Sequence, residues 1–345
     1  MNNNKKILVG LSGGIDSTYT AYKLKNMGYE VYGITLIMHD YADTEAAKKI
    51  AEMLGIPFFT LDCRKLFKQY VISNFISEYS IGHTPNPCTV CNRYVKIAEL
   101  CRYAKENGYD RVATGHYAKI DYDTEKNRYC IKKGDDEKKD QSYMLWHLTQ
   151  EQIGMLFFPL SDMTKEQIRK ETAKTDFAFL VNEKESQEIC FIPDNDYALY
   201  IEKEKGVFPE GDFVDANGKT IGRHKGIIHY TIGQRKGLGI ALGAPAYITA
   251  INPEKNTVTV EKMSDVKGNT LIATSLNSQL IEVKEGEEYT LDVKIRYSAK
   301  PMTAKVKIKD NKAYASFDTP VRAITPGQSA VFYQQDKIAF GGVII

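Results

Sequence analysis

The sequence has almost no net charge: Lys plus Arg number 46 against 44 Asp plus Glu, a formal balance of +2 over 345 residues. A basic footprint spread over the whole chain is thereby excluded, and any nucleic-acid-binding surface has to be local. Long apolar runs are missing too. None approaches the roughly 20 residues that a membrane-spanning helix requires. Residues 1–6, Met-Asn-Asn-Asn-Lys-Lys, lead straight into a short strand-like run, so the expectation is a cytoplasmic protein with no targeting segment and no membrane contact. Cysteine is sparse, with six residues at 63, 88, 91, 101, 130 and 190. In a reducing compartment these are not expected to build a disulfide framework, and metal binding or catalysis is the better use of them. No internal repeat or low-complexity segment is evident.

What is present is the composition of an ordinary globular protein, 43% hydrophobic and 26% charged. Its length implies two or three domains. Residues 5–11 (KKILVGL) read as a buried strand, and Asp16 to Met27 as a helix ending at Gly28. Val31 to Met38 reads as a second strand, Thr44 to Leu54 as a helix closed by Gly55, and Pro57 to Leu61 as a third strand. A helix from Val95 to Asn107 and a strand from Arg111 to Thr114 continue the alternation, which predicts a doubly wound parallel α/β sheet. From Gly206 onward, turns and short β-branched runs take over, at Lys255–Lys262, Tyr289–Arg296 and Lys305–Ile308. The expected organisation is an α/β domain over 1–205, a small β-rich domain over 206–265 and a C-terminal β-barrel over 266–345. The run Lys132 to Lys139 (KKGDDEKK) reads as a solvated hairpin turn.

Gly10-Leu11-Ser12-Gly13-Gly14-Ile15-Asp16-Ser17 places two adjacent glycines and two hydroxyls where the first strand meets a helix N-terminus. Glycines admit a phosphate close to the backbone, and the free amides and dipole of the helix start favour negative charge. This segment contains no Gly-Lys-Ser/Thr, so it is not the loop that grips β- and γ-phosphates with a lysine. The string resembles the PP-loop of ATP pyrophosphatases, which adenylate a substrate oxygen and release pyrophosphate. That resemblance implies ATP and Mg²⁺, with Asp16 placed to assist the metal and with Leu36 and Gly115 against the adenine nucleotide.

A second constellation follows a two-proline loop, Thr84-Pro85-Asn86-Pro87-Cys88-Thr89-Val90-Cys91-Asn92. A Cys-x-x-Cys at a helix start is expected to favour thiolate. Cys190, in Ile189-Cys190-Phe191-Ile192, is flanked by apolar residues, and Cys190 with Cys91 supplies the two thiols that sulfur transfer needs: one to carry a persulfide, one to release it. Structural zinc is the rival use, but there is no second Cys-x-x-Cys to complete the site. Cys63, Cys101 and Cys130 are read as packing residues.

The PP-loop, Cys91-Asn92, Thr114-Gly115-His116-Tyr117, Lys139-Asp140-Gln141-Ser142-Tyr143, Cys190-Phe191-Ile192, the Gly-rich string from Gly233 to Gly239 and Thr325-Pro326-Gly327-Gln328-Ser329 occur in one order along the chain. In that order and over nearly the whole length, the sequence resembles the tRNA-specific 2-thiouridylase family. The resemblance implies ATP-dependent adenylation of the C2 oxygen of the wobble uridine (U34), followed by sulfur transfer from a persulfide on Cys190 and attack by Cys91. It also implies target-base contacts from Asn86, Pro87 and Cys88, and tRNA contacts from His116, Lys139, Asp140, Gln141, Arg296, Tyr297 and Gln328. The implied partners are tRNAs for Lys, Glu and Gln and a sulfur-donor protein or sulfide.

One position departs from the pattern. Familiar members carry aspartate where this chain has Cys88, and Cys88, Cys91 and Cys190 together match the three-thiolate set of a 4Fe-4S cluster with one open iron. Persulfide relay and cluster-bound sulfide therefore both stand as mechanisms. Outside this chemistry the rivals are a PP-loop amide ligase or other adenylating enzyme, needing neither Cys91 nor Cys190, and a non-catalytic RNA-binding protein with a relict loop.

Overall fold

The structure is a computed structural model and describes residues 5–183, 189–240, 245–261 and 267–345. Residues 186–188 of the Cys190 segment, Lys262 at the end of an expected strand and the 265/266 boundary lie outside them.

The N-terminal sheet has the order β3-β2-β1-β4-β7 and is parallel throughout. Its members are β1 (Lys6–Gly10), β2 (Glu30–Ile37), β3 (Phe58–Asp62), β4 (Arg111–Ala113) and β7 (Leu156–Phe157). Ile7, Leu8 and Val9 are all buried because helices cover both faces, which is why the strand reads as a continuous apolar run rather than an alternation. Helix α1 (Ile15–Asn26) follows β1. Helix α2 (Glu45–Leu54) buries Ala47, Ile50, Ala51 and Leu54, a single helical face, and stops at Gly55 in the left-handed conformation (φ +60°). The chain leaves β1 toward β2 on one side and returns to β4 on the other. The crevice beyond Gly10 and Ala113 is thus the switch point where doubly wound sheets bind ligands.

A four-stranded sheet, β10-β11-β8-β9, occupies the middle of the chain: β8 (Gly211–Val214), β9 (Thr220–His224), β10 (Tyr247–Asn252) and β11 (Thr257–Glu261). The C-terminal strands are β12 (Lys267–Ser278), β13 (Glu288–Lys294), β14 (Met302–Lys309), β15 (Lys312–Arg322), β16 (Ser329–Gln334) and β17 (Lys337–Ile344). They pair antiparallel in the order 12-15-14-13-16-17, and β12 also pairs with β17, closing a six-stranded barrel. Met302–Lys309 alternates strictly, with Ala304, Val306 and Ile308 buried and the lysines outward.

One element contradicts the sequence expectation. Lys132 and Lys133 are not in a hairpin turn. They end β6 (Arg128–Lys133), which pairs with β5 (Ala118–Asp123) around a turn just after Asp123. This hairpin leaves the N-terminal sheet and extends the barrel sheet through Lys132 opposite Lys337. Gln279 locks the junction: its side chain accepts from Ile131 N–H (2.9 Å) and donates to the carbonyls of Leu145 and Trp146 (2.9 Å each). Trp146 is buried against Gly341, where a Cβ would come within 2.4 Å of the indole, and its Nε1 donates to Ser329 Oγ at 2.9 Å.

Candidate active site

Gly13 takes φ +81°, and a Cβ there would lie 2.9 Å from the Ala46 Cβ, so glycine is required on both counts. Ser17 closes the loop on itself. Its Oγ accepts from Ser12 N–H (3.1 Å), donates to Gly14 O (3.0 Å) and lies 3.0 Å from Ser12 Oγ. The amides of the first turn of α1 have no acceptor within the helix, and Gly14, Ile15, Asp16 and Ser17 line the cavity above the loop. The result is an anion cradle whose charge comes from the backbone dipole.

Two cavities meet over this loop. An inner one of about 240 Å³ is lined by Gly10, Leu11, Thr35, Leu36, Thr114 and Gly115 among others. An outer one of about 1340 Å³ carries Gly13, Gly14, Cys88, Asn92, Lys139 and Tyr297. Ser12, Asp16, Ser17, Lys96, His116 and Gln141 line both, so the two are continuous. Leu36 and Gly115 line the inner cavity together with the loop residues.

Asp16 is the focus of the charged contacts. Lys165 Nζ donates to both its carboxylate oxygens at 2.7 Å, and Tyr117 OH donates to Oδ1 at 2.6 Å. Gly115 packs on its backbone so closely that a Cβ would lie 2.9 Å from the Asp16 carbonyl carbon. A carboxylate at a phosphate loop, with two neighbouring hydroxyls, fits Mg²⁺, which is usually held by one or two carboxylates together with substrate phosphates. Among the described residues no group of three or more His, Cys, Asp or Glu is arranged to hold a metal by itself.

Cys88 and Cys91 lie on the short helix Pro87–Cys91, which Pro87 opens with its ring already at a helical φ. The next residues, Asn92–Lys96, form a π-turn before the helix Ile97–Glu106 begins. Cys88 is exposed; Cys91 is buried, with its Sγ 3.7 Å from Met38 Sδ. Cys190 is exposed, held in place by its buried neighbour Phe191, whose ring meets Phe67, Phe75 and Tyr200 at 5.4 Å each. The three thiols share one electrostatic neighbourhood: Cys88 raises the Cys91 pKa, and both raise that of Cys190.

The thiolate stabilisation expected at the helix start is overturned for Cys91. Burial raises Cys91, and the protein packed around the Cys190 thiol, although that residue keeps solvent exposure, pushes it up to about 11; the charge of Lys96 opposes both effects only in part. Cys63, Cys101 and Cys130 are buried too, with thiols pushed up to about 12, 12 and 11, as packing residues should be.

The residues expected to meet tRNA divide into two sets. Lys139, Gln141, His116 and Tyr297 line the outer cavity. Asp140 is buried and turned inward, accepting from Gly134 N–H (3.2 Å), Ser142 N–H (3.1 Å) and Ser142 Oγ (2.8 Å). Gln328 donates from Nε2 to Thr84 O (2.8 Å) and Pro85 O (3.3 Å), tying the barrel to the loop that carries Asn86, Pro87 and Cys88. Arg296 donates to Arg322 O at 2.6 Å. His116 sits 2.7 Å from Thr114 Oγ1, and burial holds its pKa down to about 3, so it is neutral.

Lys96 and Lys165 escaped the sequence reading, and Tyr117, quoted within a motif, was given no role of its own. For Lys165 a signal existed: a lysine directly after the Thr164 cap stands at the positive end of its helix, where a cation is out of place.

Comparison with known proteins agrees with this geometry. The tRNA methyl transferase HUP domain family matches residues 5–194, the tRNA methyl transferase PRC-barrel domain family 200–262 and the aminomethyltransferase beta-barrel domain family 269–345. A tRNA-specific 2-thiouridylase MnmA 1 from Caldanaerobacter subterraneus subsp. tengcongensis is 46% identical, with 99% of this chain and 98% of that protein covered. The tRNA-specific 2-thiouridylase MnmA of Clostridioides difficile is 44% identical over 99% of this chain and 98% of its own. A second such protein from the Caldanaerobacter strain is 43% identical, covering 100% and 99%. With matches of this identity running end to end, the chain belongs to the tRNA-specific 2-thiouridylase family.

Proposed function

We propose that this protein uses ATP to thiolate C2 of the wobble uridine of tRNA, with tRNAs for Lys, Glu and Gln as substrates. The observation that carries the reading is the continuity of the phosphate cradle with the cavity bearing Cys88, beside Cys91 and Cys190. Activation and sulfur delivery then meet at one base. The matching domain families are described by methyl transfer, but an adenylating loop beside clustered thiols is suited to sulfur chemistry.

In the first step the uridine C2 oxygen bonds to the α-phosphorus, and pyrophosphate departs with the electron pair of the broken P–O bond. The first-turn amides of α1 hold the departing phosphates; Asp16 would hold Mg²⁺, which would supply charge neutralisation for them. In the second, the terminal sulfur of a Cys190 persulfide attacks C2 and AMP leaves. Cys91 thiolate then attacks Cys190 Sγ, freeing the thiocarbonyl and leaving a Cys91–Cys190 disulfide. A thiol reductant supplies two electrons to reset it, and a sulfur-donor protein reloads Cys190. Neutral His116 and the charge of Lys96 face this space, and Lys96 favours the thiolate form of both cysteines.

Cys88, Cys91 and Cys190 also have the donor chemistry for an iron–sulfur cluster. The relay needs only Cys91 and Cys190, and it is the reading put to the test. The test is thiolation of tRNA, read by mass spectrometry of its nucleosides, alongside iron analysis of protein purified without oxygen. Cys91→Ser and Cys190→Ser should abolish thiolation while Cys88→Ser retains it and iron is absent. Bound iron that disappears in Cys88→Ser together with activity would replace the relay by a cluster mechanism.

A further inference from the structure

Lys165 opens the helix Lys165–Thr172 and is only 6% exposed. Both circumstances are unfavourable. A cation in the first helical turn opposes the macrodipole, and a buried ammonium persists only when paired and hydrogen-bonded. The fold nevertheless brings this amine to the phosphate loop. Lys23 of α1 ties the preceding segment down, donating to Pro159 O at 2.7 Å and to Asp162 at 3.2 Å. Lys165 Nζ then meets both Asp16 oxygens at 2.7 Å and lies 5.9 Å from the Tyr117 ring centre, lining the same cavity as Ser12, Gly13 and Gly14. The loop itself, Gly10 to Ser17, contributes amides, hydroxyls and one carboxylate but no cation.

We propose that Lys165 supplies a cation to the pyrophosphate site, lent to the loop from a helix about 150 residues downstream in the chain. Before ATP arrives it is paired with Asp16. With ATP and Mg²⁺ present, Asp16 turns to the metal and Lys165 to the β- and γ-phosphate oxygens, so each buried charge exchanges one partner for another and none is left alone. As the α–β bond breaks, the negative charge gathering on pyrophosphate develops beside an ammonium already in position. This assignment rests on the ATP-dependent reading above.

The experiment compares wild type with Lys165→Met for binding of inorganic pyrophosphate with Mg²⁺, binding of adenosine, and tRNA-dependent ATP–pyrophosphate exchange. Loss of a charge-assisted contact should weaken pyrophosphate binding at least about 10-fold and slow exchange further, with adenosine affinity unchanged. Pyrophosphate affinity equal to wild type overturns the role of Lys165. Should Lys165→Met fail to fold, Lys165→Arg keeps the pair with Asp16, and the Mg²⁺ concentration for half-maximal exchange should move; an unmoved value overturns the proposal equally. A wild-type protein without any exchange would instead overturn the adenylation reading itself.

Discussion

Replacing Gly115 by alanine adds one methyl group at the most crowded contact of the site. The new Cβ would lie 2.9 Å from the Asp16 carbonyl carbon, 3.0 Å from its Cβ and 3.1 Å from its carbonyl oxygen, whereas ordinary contact begins at 3.4 Å. The Thr114–His116 segment and the start of α1 must therefore part by about 0.5 Å or more, and two of the three obstructing atoms are backbone that cannot rotate away. Overpacking of this kind costs about 1–3 kcal/mol. In a domain of this size each kcal/mol lowers the unfolding midpoint by about 2–4 °C. The larger effect falls on chemistry, because Asp16, the first-turn amides and the Lys165 contact all move with that backbone. A displacement approaching 1 Å is worth about 100-fold in rate. The assay is tRNA-dependent ATP–pyrophosphate exchange beside a thermal melt. Exchange should fall by about 10- to 100-fold, with a drop in midpoint of a few degrees. A variant that exchanges and melts like wild type would refute the claim that Gly115 is kept small by Asp16.

Three other outcomes are expected. Lys96→Met removes the positive charge that opposes burial at Cys91 and Cys190, so the pH midpoint for alkylation of Cys190 should shift upward; no shift would mean that Lys96 does not act on that thiol. Gln328→Ala deletes the donor to Thr84 and Pro85, at a cost of about 1 kcal/mol, and should reduce thiolation severalfold while ATP affinity stays constant. His116, with a native pKa near 3 against an ordinary 6.5, is a base whose unfolded form binds the extra proton, so its contribution to stability is full above about pH 6.5 and is lost as the pH falls toward 3. His116→Gln should flatten that part of the acid-unfolding curve.

The parts of the fold legible in the sequence were those written locally. The phosphate loop declares itself by its glycines, hydroxyls and neighbouring strand, whereas Leu36 and Gly115 were named only through the family resemblance. Contacts between distant segments were not legible. The hairpin of β5 and β6 joins a barrel whose strands lie some 200 residues further on, and periodicity says nothing of a partner strand. In the string Thr-Lys-Glu-Gln nothing but its position at the positive end of a helix marks Lys165 out. The Cys91 thiol was misjudged because a helix start can be read from Pro87, whereas the burial that outweighs it brings in distant residues such as Met38. Asp140 and Gln328 show the same limit. Each was expected to face RNA, and each spends its side chain on the chain's own carbonyls or amides.

The Gln279 and Trp146 junction has a consequence for how the polypeptide comes into being. Ile131, Leu145 and Trp146 are made early but find their partners only when Gln279, Ser329 and Gly341 arrive. During synthesis β6 is an open strand edge beside an uncovered indole, a combination that invites pairing with other chains. A ribosome that stops short of the barrel would thus release a sticky fragment, not a smaller enzyme. Sequence separations this long also slow folding, which makes the last 70 or so residues of the chain the step that commits the whole to its native state.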